Sequence, residues 1–239
     1  MSLSPSAYPG LLITFEGGEG SGKTTQLLRL AARLQQIGWP CVCTREPGGT
    51  QLGQALRQLL LHETGIPLQP LAELLLYITD RSQNVAEVIR PALEAGQIVL
   101  CDRFIDSTMA YQGYGRGLDV EQIRQLNHIA TQGILPDVTL WLKIAPEIGL
   151  ARARGRTVPN LQPDRMEQAE LAFHRRIATG LAEMAQQFPE RIVPIDDQGS
   201  LDQVTVAIWH VLSLRYPHLQ EPPRVTNRPH SLNTPGAPN

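Results

Sequence analysis

Five short apolar runs, at positions 11–16, 41–44, 98–101, 138–142 and 192–195, punctuate this chain. Continuous apolar runs of this length, bounded by turn residues, read as strands covered on both faces. The stretches between them keep helical spacing. Leu27, Leu30, Ala31, Leu34 and Ile37 fall on one face, and Gly38 stops the pattern. A second helix is expected over 51–61. Pro70 opens a long helical stretch in which Leu71, Leu74, Leu75 and Ile78 form a stripe, continued by Val85, Val88, Ile89 and Leu93 up to Gly96. Asp119 caps a helix with Val120, Ile123, Leu126 and Ile129 turned inward, and Pro146 begins another. Residues 152–163 read as basic and irregular. A long amphipathic helix then carries Met166, Ala169, Phe173, Ile177, Leu181, Met184 and Phe188. Ser200 with Gln203 makes a capping box for a last helix bearing Val204, Ile208 and Val211.

Strands alternating with helices predict an α/β fold: a doubly wound, five-stranded parallel sheet with helices on both faces. The expected organisation is a flexible arm at 1–9, a single domain at 10–217 with a lid at about 152–163, and a Pro-rich tail at 218–239, which holds five prolines in 22 residues.

Ligands of such a sheet sit beyond the carboxyl ends of its strands, and the informative segments lie there. The first run ends in Gly17, Gly18, Glu19, Gly20, Ser21, Gly22, Lys23, Thr24 and Thr25. This is the G-x-x-x-x-G-K-[ST] pattern between a strand and a helix. Its glycines bring main-chain N–H groups close to a phosphate chain, and the helix points its positive end at the same anion. Lys23 would reach the outer phosphates, and the Thr24 hydroxyl would bind Mg²⁺. The second run ends in TREPGGT, residues 44–50, and the third in Asp102-Arg103.

Composition narrows the class. At 42% hydrophobic and 18% charged residues the chain is an ordinary globule, and its net charge of −2 argues against nucleic-acid or membrane-surface binding. The N-terminus lacks the features of a signal peptide, and no apolar run approaches 18 residues, so a cytoplasmic protein is expected. Cys41, Cys43 and Cys101 are expected as buried free thiols in a reducing compartment.

A phosphate-binding loop names a nucleotide, not a reaction. The chain has no Asn-Lys pair, so the guanine reader of switch proteins is missing. Arg45, Arg81 and Arg103 instead fall near one cleft, as a second anion site beside the first would require. A kinase for a phosphate-bearing acceptor needs that site, because two polyanions must be aligned while their repulsion is cancelled.

These residues resemble a known family. FEGGEGSGKTTQ, TREPGGT, CDRFIDSTMAYQGYGRG and the later DRME are together similar to the bacterial thymidylate kinases, from about residue 11 to 214. The resemblance implies transfer of the γ-phosphoryl of ATP to dTMP, with Mg²⁺, by a homodimer. It implies that Gly17–Thr24 binds ATP and that Glu19 contacts the acceptor sugar and orients a phosphate-binding arginine. Arg45 and Arg103 would grip the dTMP phosphate, and Asp102 would organise Mg²⁺. Tyr77 would stack on thymine and Arg81 would bond its carbonyl. Thr108 and Gln112 would read the base edge, and Tyr111 would lie where a ribose 2′-hydroxyl would sit. Family members of one type carry an arginine inside the phosphate loop, where this chain has Gly20. The resemblance then places the transition-state cation in the lid, with Arg152, Arg154 and Arg156 as candidates. Another nucleotide kinase of the same fold, or a non-catalytic nucleotide binder, shares the loop but not TREPGGT.

Overall fold

The computed structural model describes residues 8–62, 67–155 and 165–223. The arm before residue 8, the lid positions 156–163 with Arg156, the nearby Asp164, and the tail from 224 lie outside the described residues. The strands are β1 (Leu11–Glu16), β2 (Cys41–Arg45), β3 (Ile98–Asp102), β4 (Val138–Lys143) and β5 (Ile192–Asp196), all parallel, in the order β2-β3-β1-β4-β5. Helices α1 (Lys23–Ile37), α2 (Gln51–Leu61), α3 (Pro70–Asn84), α4 (Arg90–Glu94), α5 (Ile105–Thr108), α6 (Val120–Thr131), α7 (Pro146–Arg154), α8 (Leu171–Gln187) and α9 (Leu201–Arg215) cover both faces. This is the expected doubly wound sheet. Its register aligns Phe15 and Arg45 with Asp102, so the ends of β1, β2 and β3 meet at one edge.

On one face Ile13, Phe15, Leu34, Leu100, Ile208 and Leu212 form a core between the sheet, α1 and α9. The other face packs Leu12, Val85, Ile89, Val99 and Phe104, and beside them Leu60, Leu74, Ile123, Phe173 and Ile177. A polar network runs through this second layer. Arg191 donates to both carboxylate oxygens of Asp106 at 2.6 and 2.7 Å and to Thr139 at 2.9 Å, and Thr139 meets Thr14 at 2.8 Å.

Several expectations need correction. Arg152 and Arg154 belong to α7 and not to an irregular segment. Helix α8 starts at Leu171, so Met166 and Ala169 precede it, although Met166 is still buried. Leu71, Leu75 and Ile129 are exposed at 55%, 45% and 69%; the apolar stripes are narrower than their spacing suggested. Cys43 is exposed and Cys41 half-buried, and of the three only Cys101 is buried. The chain after Tyr216 makes a 3₁₀ turn, Pro217–Gln220, that buries Leu219, and Glu221 accepts from the Trp39 indole. The long helix after Pro70 is interrupted by a π turn, Val85–Ile89, and a second π segment, Met109–Gly115, follows α5. The capping box at Ser200 is formed as expected.

Removing one partner of a buried ion pair leaves an uncompensated charge. Arg191→Met should therefore lower the unfolding free energy by about 3 kcal/mol or more, whereas the double variant Asp106→Asn/Arg191→Met should lose clearly less. Urea titrations of the two proteins check this.

Candidate active site

Strand β1 hands the chain to the glycine loop at its carboxyl end. Gly22, at φ 75°, caps α1 without any side-chain hydrogen bond, so the first amides of α1 stay open toward the cleft. Gly20 sits at φ 70°, and a Cβ there would run into the carbonyl oxygen of Gly149 in α7. The loop and α7 thus dock backbone against backbone. Lys23 is 7% exposed and donates to the carbonyls of Gly17 (3.1 Å) and Gly18 (2.8 Å) and to Ser21 (3.2 Å). Burial, and then the Arg103 guanidinium, bring its ammonium down to about 8 against the pull of neighbouring carboxylates.

Arg103 follows β3 in the left-handed region, at φ 69°. A non-glycine residue there is strained, and such strain persists only where surrounding contacts fix it. Its amide donates to Phe15, and its guanidinium donates to Glu19 (2.7 Å), the Gly17 carbonyl (3.1 Å) and Ser107 (3.2 Å). The Tyr111 hydroxyl donates to the same Glu19 oxygen at 2.7 Å, and the Arg103 guanidinium lies 4.8 Å from the Tyr111 ring centre. Burial alone would raise the Glu19 carboxyl. Arg103, Lys23 and Tyr111 outweigh it and hold the group down at about 2. A carboxylate inside an anion cradle is thus paid back by the cations it aligns. Next to Arg103, the Asp102 carboxylate accepts a hydrogen bond from the Thr24 hydroxyl.

Beneath this pair, Glu16 is fully buried. It accepts from the amides of Phe104 (2.8 Å) and Ser107 (3.1 Å) and from the Ser107 hydroxyl (2.5 Å), pinning the turn after Arg103. Burial, then Asp106, push its carboxyl up to about 7 despite those donors.

Two cavities adjoin at this edge. The larger, about 480 Å³, is lined by Lys23, Thr24, Thr25, Arg45, Asp102 and Arg103 among others. The smaller, about 90 Å³, is lined by Tyr77, Arg81, Thr108, Tyr111 and Gln112. Glu19, Glu46, Arg57, Leu61 and Arg103 line both. Every described residue expected at the acceptor site therefore faces one or the other. Arg81 is the exception in kind. It is 1% exposed, and its guanidinium donates to Glu46 (2.7 Å), Thr108 (2.8 Å), Asn127 (2.5 Å) and the Phe104 carbonyl (2.9 Å). It is a structural hub that also borders the cavity. Glu46 is pushed up to about 7 by burial, with Arg81 and Asn84 opposing.

Arg152 is committed to Asp197, at 2.7 Å. Arg154 is exposed in the last turn of α7, at the root of the lid positions. Sequence reasoning missed Glu46, Arg57, Glu73 and Arg116, and it singled out Arg165 only as part of DRME. Glu46 was readable, since it lies inside TREPGGT. Glu73 was not, because a lone glutamate on a helix reads as surface. It is 1% exposed and takes hydrogen bonds from Gln112, Arg116 and Arg165. Among the described residues no cluster of three or more His, Cys, Asp or Glu could hold a metal. The paired oxygens of Thr24 and Asp102 do suit Mg²⁺, which takes few protein ligands and completes its shell with water and phosphate.

Comparison with known proteins adds four findings. The family model for thymidylate kinase matches residues 15–208. The chain is 58% identical over 207 residues to a thymidylate kinase of Synechococcus sp. (strain JA-2-3B'a(2-13)), covering 87% of this chain and 96% of that one. It is 49% identical over 213 residues to one of Trichormus variabilis, covering 89% and 98%. Among solved structures, the thymidylate kinase from Ehrlichia chaffeensis matches with a TM-score of 0.70 at 36% identity, over 85% of this chain and 98% of that chain.

The raised Glu16 sets a pH signature. Between its ordinary value of 4.5 and about 7, the folded chain holds a proton there that the unfolded chain has lost. Stability should therefore fall as pH rises through that window. Glu16→Gln keeps an acceptor for the two amides and removes the titration, so its loss from pH 5 to 7.5 should be smaller. Thermal melts across that range measure the difference.

Proposed function

This chain belongs to the thymidylate kinase family, and from that premise we propose how its two cavities divide the work of phosphorylating dTMP to dTDP with ATP. The observation that carries the reading is Arg103, which borders both cavities and is held between them by Glu19.

The attacking atom is a phosphate oxygen of dTMP, largely ionised near neutral pH. The site therefore needs alignment and charge cancellation more than a base. In our reading the ATP phosphates lie over the start of α1, among the open amides from Gly20 to Thr25. Lys23 exchanges its bonds to the Gly17 and Gly18 carbonyls for phosphate oxygens. The dTMP phosphate meets Arg45 and Arg103 in the larger cavity, while its base enters the smaller one against Tyr77, Thr108 and Gln112. Tyr111, held by Glu19, lies against the sugar. Thr24 and Asp102 would hold Mg²⁺, which when bound would offset negative charge on the ATP phosphates. Arg154 and Arg156 are the candidates for the cation at the transferring group. We also propose a cytoplasmic homodimer. Leu71 and Leu75 expose apolar surface on one side of α3 that a second copy would cover, and no described helix is long and apolar enough to cross a membrane.

A coupled ADP-release assay across dTMP, dUMP, UMP, CMP and GMP tests the reading; a ribonucleotide used as well as dTMP would sink it. Lys23→Ala should lower turnover by ~10²–10³-fold with the melting temperature nearly unchanged, as for loss of a preorganised donor to developing charge. Arg81→Ala should weaken dTMP more than ATP and should also destabilise the fold by about 3 kcal/mol or more, because Glu46 is left buried without its cation. Substrate-dependent kinetics together with a urea titration separate the two effects.

A further inference from the structure

Glu73 shares a face of α3 with Tyr77, one turn on, and lies just behind the smaller cavity. Its carboxylate is paired with two guanidiniums, Arg165 at 3.0 Å and Arg116 at 3.2 Å. The same oxygen that accepts from Arg116 Nε also accepts from Gln112 Nε2, at 3.0 Å. A carboxylate so paired only accepts hydrogen bonds. Gln112 must therefore turn its NH₂ to Glu73, since the flipped amide would set oxygen against oxygen. The carbonyl oxygen of Gln112, which no described residue bonds, is left for the cavity that Gln112 lines.

An acceptor fixed at that point wants a donor in the plane of a bound base. The imide pyrimidines, thymine and uracil, carry N3–H as a donor. Cytosine presents N3 as an acceptor and would meet repulsion. We propose that Glu73 is a positioning residue which, through the orientation it imposes on Gln112, selects imide pyrimidine nucleotides over cytosine nucleotides. The inference rests on the reading that the smaller cavity receives the base of dTMP. Arg116 and Arg165 serve it indirectly by holding the Glu73 carboxylate in place. Arg165 is itself anchored to the end of α2, its amide donating to the Leu61 carbonyl at 3.0 Å.

Steady-state kinetics of the full-length chain with saturating ATP test this, with dTMP, dUMP and dCMP as acceptors. The proteins are the wild type, Glu73→Gln, Glu73→Asp and Gln112→Leu. In Glu73→Gln the side chain at 73 can donate or accept, so Gln112 is free to flip. KM for dTMP should rise by ~10-fold while kcat changes far less, and the dTMP-to-dCMP ratio of kcat/KM should fall ~10-fold or more. Glu73→Asp keeps an anion for the two arginines but draws it back from Gln112, so it should lower the same ratio in a protein that keeps its fold. Gln112→Leu should lower the ratio as well, and adding Glu73→Gln to it should change the ratio no further. A ratio unmoved by Glu73→Asp and Gln112→Leu, with only the melting temperature lower, would overturn the proposal and make Glu73 structural. A wild type that prefers dCMP or ignores dTMP would instead overturn the reading of the cavity itself.

Discussion

The contact between Arg103 and Glu19 joins the two halves of this site. One residue follows the third strand and the other lies in the glycine loop after the first, 84 positions away in sequence. Neither is placed cheaply. Arg103 carries an unfavourable backbone angle, and Glu19 is a carboxylate set where anions are to bind. Each makes sense through the other. Glu19 fixes the direction of the guanidinium, and Arg103, with Lys23, keeps Glu19 ionised. Glu16 holds the turn below from the opposite side, so the strained residue is braced by main-chain donors and not by its own side chain alone. The sheet register that levels Phe15, Asp102 and Arg45 makes these contacts possible.

Burial works to raise all three acids at this edge, and their neighbours decide the outcome. Glu19 has two cations at hand and stays ionised far below the ordinary range. Glu16 has only neutral donors in contact and is raised to about 7. Glu46 has Arg81 directly on it, yet burial still dominates. The difference lies in what each carboxylate gives up on leaving water and what it receives in return, not in its residue type.

Much of the fold was legible because its signals are local. Strand and helix periods, the glycine loop, the Asp119 and Ser200 caps and the order of elements all depend on residues within a few positions of one another. The errors share one cause. Leu71, Leu75 and Ile129 have the right spacing for a buried stripe, but the width of a buried face is set by what packs against it. Arg81 was expected for its place on the cavity, and the protein partners that also hold it gave no local sign because they come from 23 to 46 positions away. Glu73 gave no local sign, because its cations arrive from two other segments. The candidate residues of the glycine loop and of the block from Asp102 to Gln112 were readable because their motifs fix both identity and placement. The π turn that carries Tyr111 and Gln112 was not readable, since nothing in its composition distinguishes it from an ordinary helix.

Gly20 lies so close to Gly149 that any side chain there would pry α7 away from the loop. An arginine can therefore not replace Gly20 by a single exchange; the loop and the helix that leads to Arg154 would separate first. A steric lock between two main chains in this way closes one position of the loop to every side chain. Any positive charge wanted at that point would have to reach it from another part of the chain.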